Sequence, residues 1–256
     1  MSILAIIPAR YASTRFPGKP LAILGGESII SRVYHRVCRC SVIDDVIVAT
    51  DDDDICDHVE SFAEEGAVML TSDEHRSGTD RCGEVLQRLG NQGYSCDIVL
   101  NVQGDEPFVE PSQLKTLVAC FDDPAVQIAT LAAPIADTDE LLSPDNVKVV
   151  RAADGRALYF SRQPLPYRRG VDTKHWLDKG QYLKHVGIYA FRSEVLPELC
   201  RLDVSPLEEA EKLEQLRWLE AGYTIHVALT DHANIGIDTP DDLATAENYL
   251  KQNKTK

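Results

Sequence analysis

Short apolar runs at residues 3–7, 46–49, 67–70, 98–102 and 128–131 punctuate the first half of the chain. Runs of this length, apolar except at Asn101 and Thr130, predict strands buried on both faces of a parallel sheet. Between them the apolar positions change period. Ile29, Ile30, Val33 and Val37 form one helical stripe, Ile55, Val59 and Phe62 a second, and Val85, Leu86 and Leu89 a third. Strand, helix and strand at this rhythm predict βαβ units.

The second half is less regular. Residues 151–182 are rich in Arg, Tyr, Pro and Gly and carry little periodicity, which predicts a long excursion from the sheet. Strands are expected at 187–191 and 224–227. Ser205-Pro206-Leu207-Glu208 is a capping box with proline at the first helical position, and Leu207, Ala210, Leu213 and Leu216 predict one apolar face behind it. Thr239-Pro240 opens the last helix, with Leu243, Ala246 and Leu250 facing the core and a Lys-rich tail behind. The expected architecture is a single domain over 1–256, an α/β sandwich with one inserted arm at about 151–182.

Composition narrows the function. In 256 residues, 44% are apolar and 26% charged, which is ordinary globular usage. The net charge of −15 argues against nucleic acid or an anionic membrane as partner, although a local cationic cluster can still serve a small polyanion. No apolar stretch near the N-terminus approaches a membrane span or signal-peptide core, so a cytoplasmic location is expected. Seven scattered cysteines make neither a disulfide framework nor a zinc pattern; reduced thiols are expected.

The segment with most chemistry is PARYASTRFPGKP at 8–20, directly after the first strand, where open α/β sheets place ligands. It carries Arg10, Arg15 and Lys19, a cluster suited to a triphosphate, or to a merely solvated loop. Neither the G-x-x-x-x-G-K-[ST] loop nor G-x-G-x-x-G is present, which counts against P-loop ATPases and nicotinamide dehydrogenases. At 101–107, NVQGDEP ends another strand. Its Asp105 suits Mg²⁺ held against phosphate, or a plain turn. Asp238 offers a second carboxylate, or an acidic residue beside a helix N-terminus like Asp241 and Asp242. In HRSGTDR at 75–81 the backbone and hydroxyls suit a nucleoside, while Ser77 or Thr79 also suits a helix cap. The run Asp51 to Asp54 reads as a cap on the helix that follows it.

Taken together these segments resemble the 3-deoxy-manno-octulosonate cytidylyltransferase family. The match continues through KVV at 148–150, ALYFSR at 157–162, KHVGIYAF at 184–191, LEQLR at 213–217 and GIDTPDDL at 236–243, so it spans nearly the whole chain. Phe16 stands where Leu is expected and Asp80 where Glu is common. NVQGDEP, rather than NLQGDQP, favours 3-deoxy-D-manno-octulosonate (Kdo) over its 8-amino analogue. The resemblance implies a Rossmann-like three-layer nucleotidyltransferase fold with a mostly parallel central sheet and an inserted dimerisation arm. It also implies a homodimer that takes CTP and Kdo to CMP-Kdo and pyrophosphate with Mg²⁺, for lipopolysaccharide. Carried over by motif, Arg10 and Lys19 bind the triphosphate, with Arg15 a weaker candidate, and Asp105 and Asp238 share Mg²⁺; these four, Arg10, Lys19, Asp105 and Asp238, form the catalytic set. Pro8, Ala9, Ser77 and Gly78 frame the cytidine, with Gln103 beside the nucleotide. Gln103, Arg162, His185, Tyr189, Glu214 and Gln215 face the sugar, although Tyr189 also suits a core position and Glu214 a solvated helix face.

Overall fold

The computed structural model describes residues 1–12, 15–232 and 235–253. Ser13 and Thr14 of the cationic loop, and the tail from 254, lie outside the described residues. In chain order the elements are β1 (Ile3–Ala9), β2 (Ile23–Leu24), β3 (Glu27–Ser28), α1 (Ile29–Cys38), β4 (Asp45–Thr50), α2 (Asp53–Glu60), β5 (Val68–Leu70), α3 (Gly78–Asn91), β6 (Ile98–Asn101) and α4 (Pro111–Ala119). They continue with β7 (Ile128–Pro134), α5 (Thr138–Leu142), β8 (Lys148–Arg151), β9 (Ala157–Ser161), β10 (Leu183–Arg192), α6 (Leu196–Leu199), α7 (Pro206–Glu211), α8 (Gln215–Glu220), β11 (Ile225–Leu229) and α9 (Pro240–Asn253). By contacts the chain divides into two compact units, Met1–Lys115 with Asn234–Lys256, and Thr116–Ala233.

In the first unit β5, β4, β1 and β6 lie side by side, every ladder parallel. Leu4, Ala5, Ile6 and Ile7 of β1 are fully buried, as are Ile98, Val99 and Leu100 of β6, which is why these strands are apolar without alternation. The stripe Ile29, Ile30, Val33 and Val37 packs inward from α1, whose Ser28 cap accepts from the Ser31 amide. The chain runs outward from β1 through β4 to β5 and returns to β6 on the other side of β1. The strand order therefore reverses beside β1, and the crevice beyond the carboxyl ends of β1 and β6 is where such a sheet leaves room for a ligand.

In the second unit β10 runs antiparallel to β7 and to β8, β8 runs antiparallel to β9, and β11 runs parallel to β7. The irregular stretch thus contains β9, which its composition conceals. Beyond β9, Trp176 and Tyr182 pack with Ile135 and Leu141 into a small separate core.

One sequence expectation needs correcting. The apolar spacing from Leu207 to Leu216 predicts one continuous helix, but the chain breaks at Lys212, which adopts the left-handed conformation (φ 54°). Leu207 and Ala210 are exposed, whereas Leu213 and Leu216 are buried. Two interactions favour the break. Arg217 of α8 grips Glu208 of α7 with two bonds of 2.6 Å, and Arg162 collects the Glu211 carbonyl at 2.8 Å where α7 ends.

Candidate active site

The crevice predicted by the strand order is a real cavity of about 240 Å³, lined by Pro8, Ala9, Arg10, Arg15, Lys19, Pro20, His75, Arg76, Ser77, Gly78, Arg81, Gln103, Gly104, Asp105 and Asp238. Every residue proposed from sequence for the nucleotide lies on its wall. Two glycines make the approach possible. Gly18 has φ 68° and donates to the Tyr11 carbonyl at 3.0 Å, closing the cationic loop and starting the short 3₁₀ turn that begins at Lys19. At Gly104, a Cβ would stand 2.8 Å from the Pro8 carbonyl oxygen, so only glycine lets the two loops meet.

Three loops converge on one ammonium. Lys19 Nζ lies 2.6 Å from Asp105 Oδ2 and 3.2 Å from Asp238 Oδ1, and Arg15 Nη2 lies 2.9 Å from Asp238 Oδ2. Backbone bonding sets this convergence: the Glu106 amide closes a turn on the Gln103 carbonyl, and the Ile237 amide donates to the Asp105 carbonyl at 3.0 Å. Asp105 therefore sits in a turn and also aims its carboxylate at the cavity. Capping of α9 falls to Thr239 and Asp242 instead. Asp242 Oδ2 accepts from the Thr239 amide and hydroxyl, both at 2.8 Å, and the Thr239 hydroxyl accepts from the Asp242 amide. That leaves the Asp238 carboxylate to the cavity.

The wall at the start of α3 is pinned. Ser77 caps α3 by accepting from the Asp80 amide at 3.1 Å. Buried Arg81 bonds Asp51 at 2.7 Å, Thr71 Oγ1 at 2.5 Å and the Ser72 carbonyl at 3.2 Å. Glu84 accepts from the Ser72 amide and holds both His75 Nε2 and Arg88. Within the acidic run, Asp52 caps α2 as expected, while Asp51 is the partner of Arg81, a pairing no local pattern could reveal. His75, Arg76 and Arg81 also line the cavity; the HRSGTDR motif contains them, but the resemblance gives roles there to Ser77 and Gly78 alone.

Five of the six proposed sugar residues lie in the second unit. The β10 strand bulges between Val186 and Tyr189, and the buried Thr130 hydroxyl lies 2.8 Å from the Ile188 carbonyl and 2.9 Å from His185 Nε2. A hydroxyl has one proton to donate; given to Ile188, it leaves the oxygen to accept from His185 Nε2–H, which fixes the imidazole tautomer. Burial depresses His185 to about 3, so it is neutral in use. Between the ordinary imidazole value and about 3, only the unfolded chain takes the proton at this residue. Its contribution is therefore fully present at neutral pH and falls as pH drops below about 6.5, by about 1.4 kcal/mol per pH unit. Chemical denaturation between pH 7 and 4.5 should show this slope, and His185→Phe should flatten it.

Tyr189 packs against His185, Phe191 and Trp218. It is core, but among the described residues its buried Oη has no hydrogen-bond partner, and neither has Trp218 Nε1. Burial and the Glu214 carboxylate both push the phenol upward, so it stays neutral. Gln215 is buried and Glu214 half-buried at the start of α8. Arg162 spends part of its fork on the carbonyls of Pro144 and Glu211. Lys148, to which the KVV motif gives no role, is wholly buried, and its ammonium donates to the Ser143 carbonyl at 2.8 Å and the Asn146 carbonyl at 2.5 Å.

Known proteins resemble this chain over nearly its whole length. A family model described as cytidylyltransferase matches residues 4–225. The chain is 52% identical to the 3-deoxy-manno-octulosonate cytidylyltransferase of Phocaeicola vulgatus, over 98% of each chain. It is also 52% identical to that of Bacteroides thetaiotaomicron, over 98% of this chain and 99% of the relative. A solved structure of CMP:2-keto-3-deoxy-manno-octonic acid synthetase complexed with CTP superposes with a TM-score of 0.89 at 40% identity, covering 99% of this chain and 100% of that one. The 4-diphosphocytidyl-2C-methyl-D-erythritol synthase of Anaerococcus prevotii, at 18% identity and a TM-score of 0.63, shares the fold.

Proposed function

The chain belongs to the cytidylyltransferases, and among them to the 3-deoxy-manno-octulosonate cytidylyltransferases; from that premise we propose that the β1–β6 cavity holds CTP and a divalent cation while the chain makes CMP-Kdo. The reaction transfers CMP from CTP to Kdo. The sugar's anomeric oxygen forms a bond to the α-phosphorus, the bond from that phosphorus to the bridging oxygen breaks, and pyrophosphate leaves. Such a transfer needs positioning and charge neutralisation rather than a protein nucleophile. Arg10 and Lys19 supply positive charge for the triphosphate and the departing pyrophosphate, and Arg15 adds to it. Pro8, Ala9, Ser77 and Gly78 frame the cytidine.

One observation carries this reading: a single ammonium bridges Asp105 and Asp238. Lys19 Nζ is itself a cation between two carboxylates, so the pair fits a small hard ion. Among the described residues no group of three or more His, Cys, Asp or Glu is poised for a metal. Mg²⁺ suits such a two-carboxylate site, because it takes its remaining ligands from water and substrate phosphates. When bound, it neutralises phosphate charge and lowers the pKa of a coordinated hydroxyl.

For the sugar acid, the family resemblance gives the carboxylate to Arg162 and the hydroxyls to His185, Tyr189, Glu214 and Gln215 of the second unit. The unmet Tyr189 hydroxyl supports this, since a buried donor without a partner costs about 1–3 kcal/mol that a sugar hydroxyl recovers. Tyr189→Phe should therefore leave the melting temperature unchanged or raised, while KM for Kdo rises roughly tenfold. Steady-state kinetics beside a thermal melt will show whether the two separate. A homodimer and a cytoplasmic location belong to the same reading and rest on the family resemblance. Among the described residues no helix is long and apolar enough to cross a membrane.

The test is a panel of acid sugars, including Kdo, its 8-amino analogue and sialic acid, each offered with all four nucleoside triphosphates and Mg²⁺. CMP-Kdo from CTP and Kdo is the expected product; its absence, with another pair turned over, would overturn the assignment.

A further inference from the structure

Resting on that reading, we propose that Arg76 is a further phosphate-binding residue of the cavity, one that takes the polyphosphate tail of the nucleotide. The positive side chains on the wall are not equivalent. Lys19 and Arg15 are engaged by Asp105 and Asp238, and Arg81 is engaged by Asp51. Among the described residues that line the cavity, Arg10 and Arg76 are the arginines with no carboxylate partner, and both are exposed. In a chain of net charge −15 with many acidic neighbours to choose from, an unpaired guanidinium at a cavity wall is a charge left open for an anionic ligand.

The residues on both sides of Arg76 are anchored through their side chains. Glu84 holds His75, and Ser77 caps α3. Between these anchors Arg76 is exposed and, among the described residues, has no carboxylate partner, so its guanidinium is left to a ligand. A guanidinium matches phosphate oxygens with two parallel bonds, whereas a nucleoside offers it no charge to meet.

Calorimetric titration of CTP with Mg²⁺, of pyrophosphate with Mg²⁺, and of cytidine tests this without turnover, on the wild-type protein, Arg76→Gln and Arg76→Lys. Expected for Arg76→Gln is a roughly tenfold weaker binding of both CTP and pyrophosphate, with cytidine within twofold of wild type. Arg76→Lys should restore most of the loss, and the melting temperature should be the same in all three, because the side chain is exposed and unpaired. Unchanged CTP and pyrophosphate binding in Arg76→Gln overturns the proposal. So does a matching loss of cytidine binding, which would make Arg76 a nucleoside contact. A wild-type protein that binds neither CTP nor pyrophosphate would instead overturn the cavity's assignment as the nucleotide site.

Discussion

Asp105→Asn is expected to remove turnover almost entirely, lowering kcat roughly 10³-fold, while CTP affinity changes only a few-fold. The substitution keeps the side chain's shape and its acceptor oxygen, so the turn closed by the Glu106 amide and the bond from the Ile237 amide should survive. What it removes is the charge that faces Lys19 at 2.6 Å and, with Asp238, makes the cation site. A divalent ion there matters most as charge moves onto the leaving pyrophosphate, and much less in the ground state, where phosphate oxygens and arginines already hold the nucleotide. Pre-steady-state and binding measurements separate these effects. A variant with near-normal kcat would remove Asp105 from the metal's coordination.

Lys19→Ala should be nearly as damaging to kcat/KM, on the order of 10²–10³-fold, and yet leave the protein folded. The two carboxylates it abandons have 31% and 51% of their side-chain surface exposed, so water and Arg15 can take over. Circular dichroism and thermal melting check the fold; an unfolded variant would make Lys19 structural. The Asp51–Arg81 pair behaves oppositely, because Arg81 is 3% exposed. Asp51→Ala leaves that guanidinium without its counter-charge and should lower stability by about 3–5 kcal/mol, read by denaturant unfolding.

These contrasts mark where local pattern carries information. The strands of the first unit are readable because both faces are buried, so Ile3 to Ile7 has no polar position to obscure it. The cationic loop is readable because a switch-point crevice follows from strand order alone. Where a contact joins distant segments, pattern is silent. Nothing near Asp51 announces Arg81, and nothing in the run from Leu207 announces the break at Lys212, which Arg217 and Arg162 support from elsewhere. β9 is hidden for a related reason: Leu158 on that strand is 58% exposed, so its burial signal is weak. The unmet hydroxyl of Tyr189 is equally invisible in sequence, since it takes the packed aromatic cluster to show that none of the described residues partners it.

The most direct measurement follows the label from α-³²P-CTP incubated with Kdo and the purified protein, with Mg²⁺ in one arm and excess EDTA in the other. Label passing into CMP-Kdo with one pyrophosphate released per product, in the Mg²⁺ arm alone, is the expected result. Equal label transfer in both arms would contradict a cation held by Asp105 and Asp238 as the centre of this chemistry.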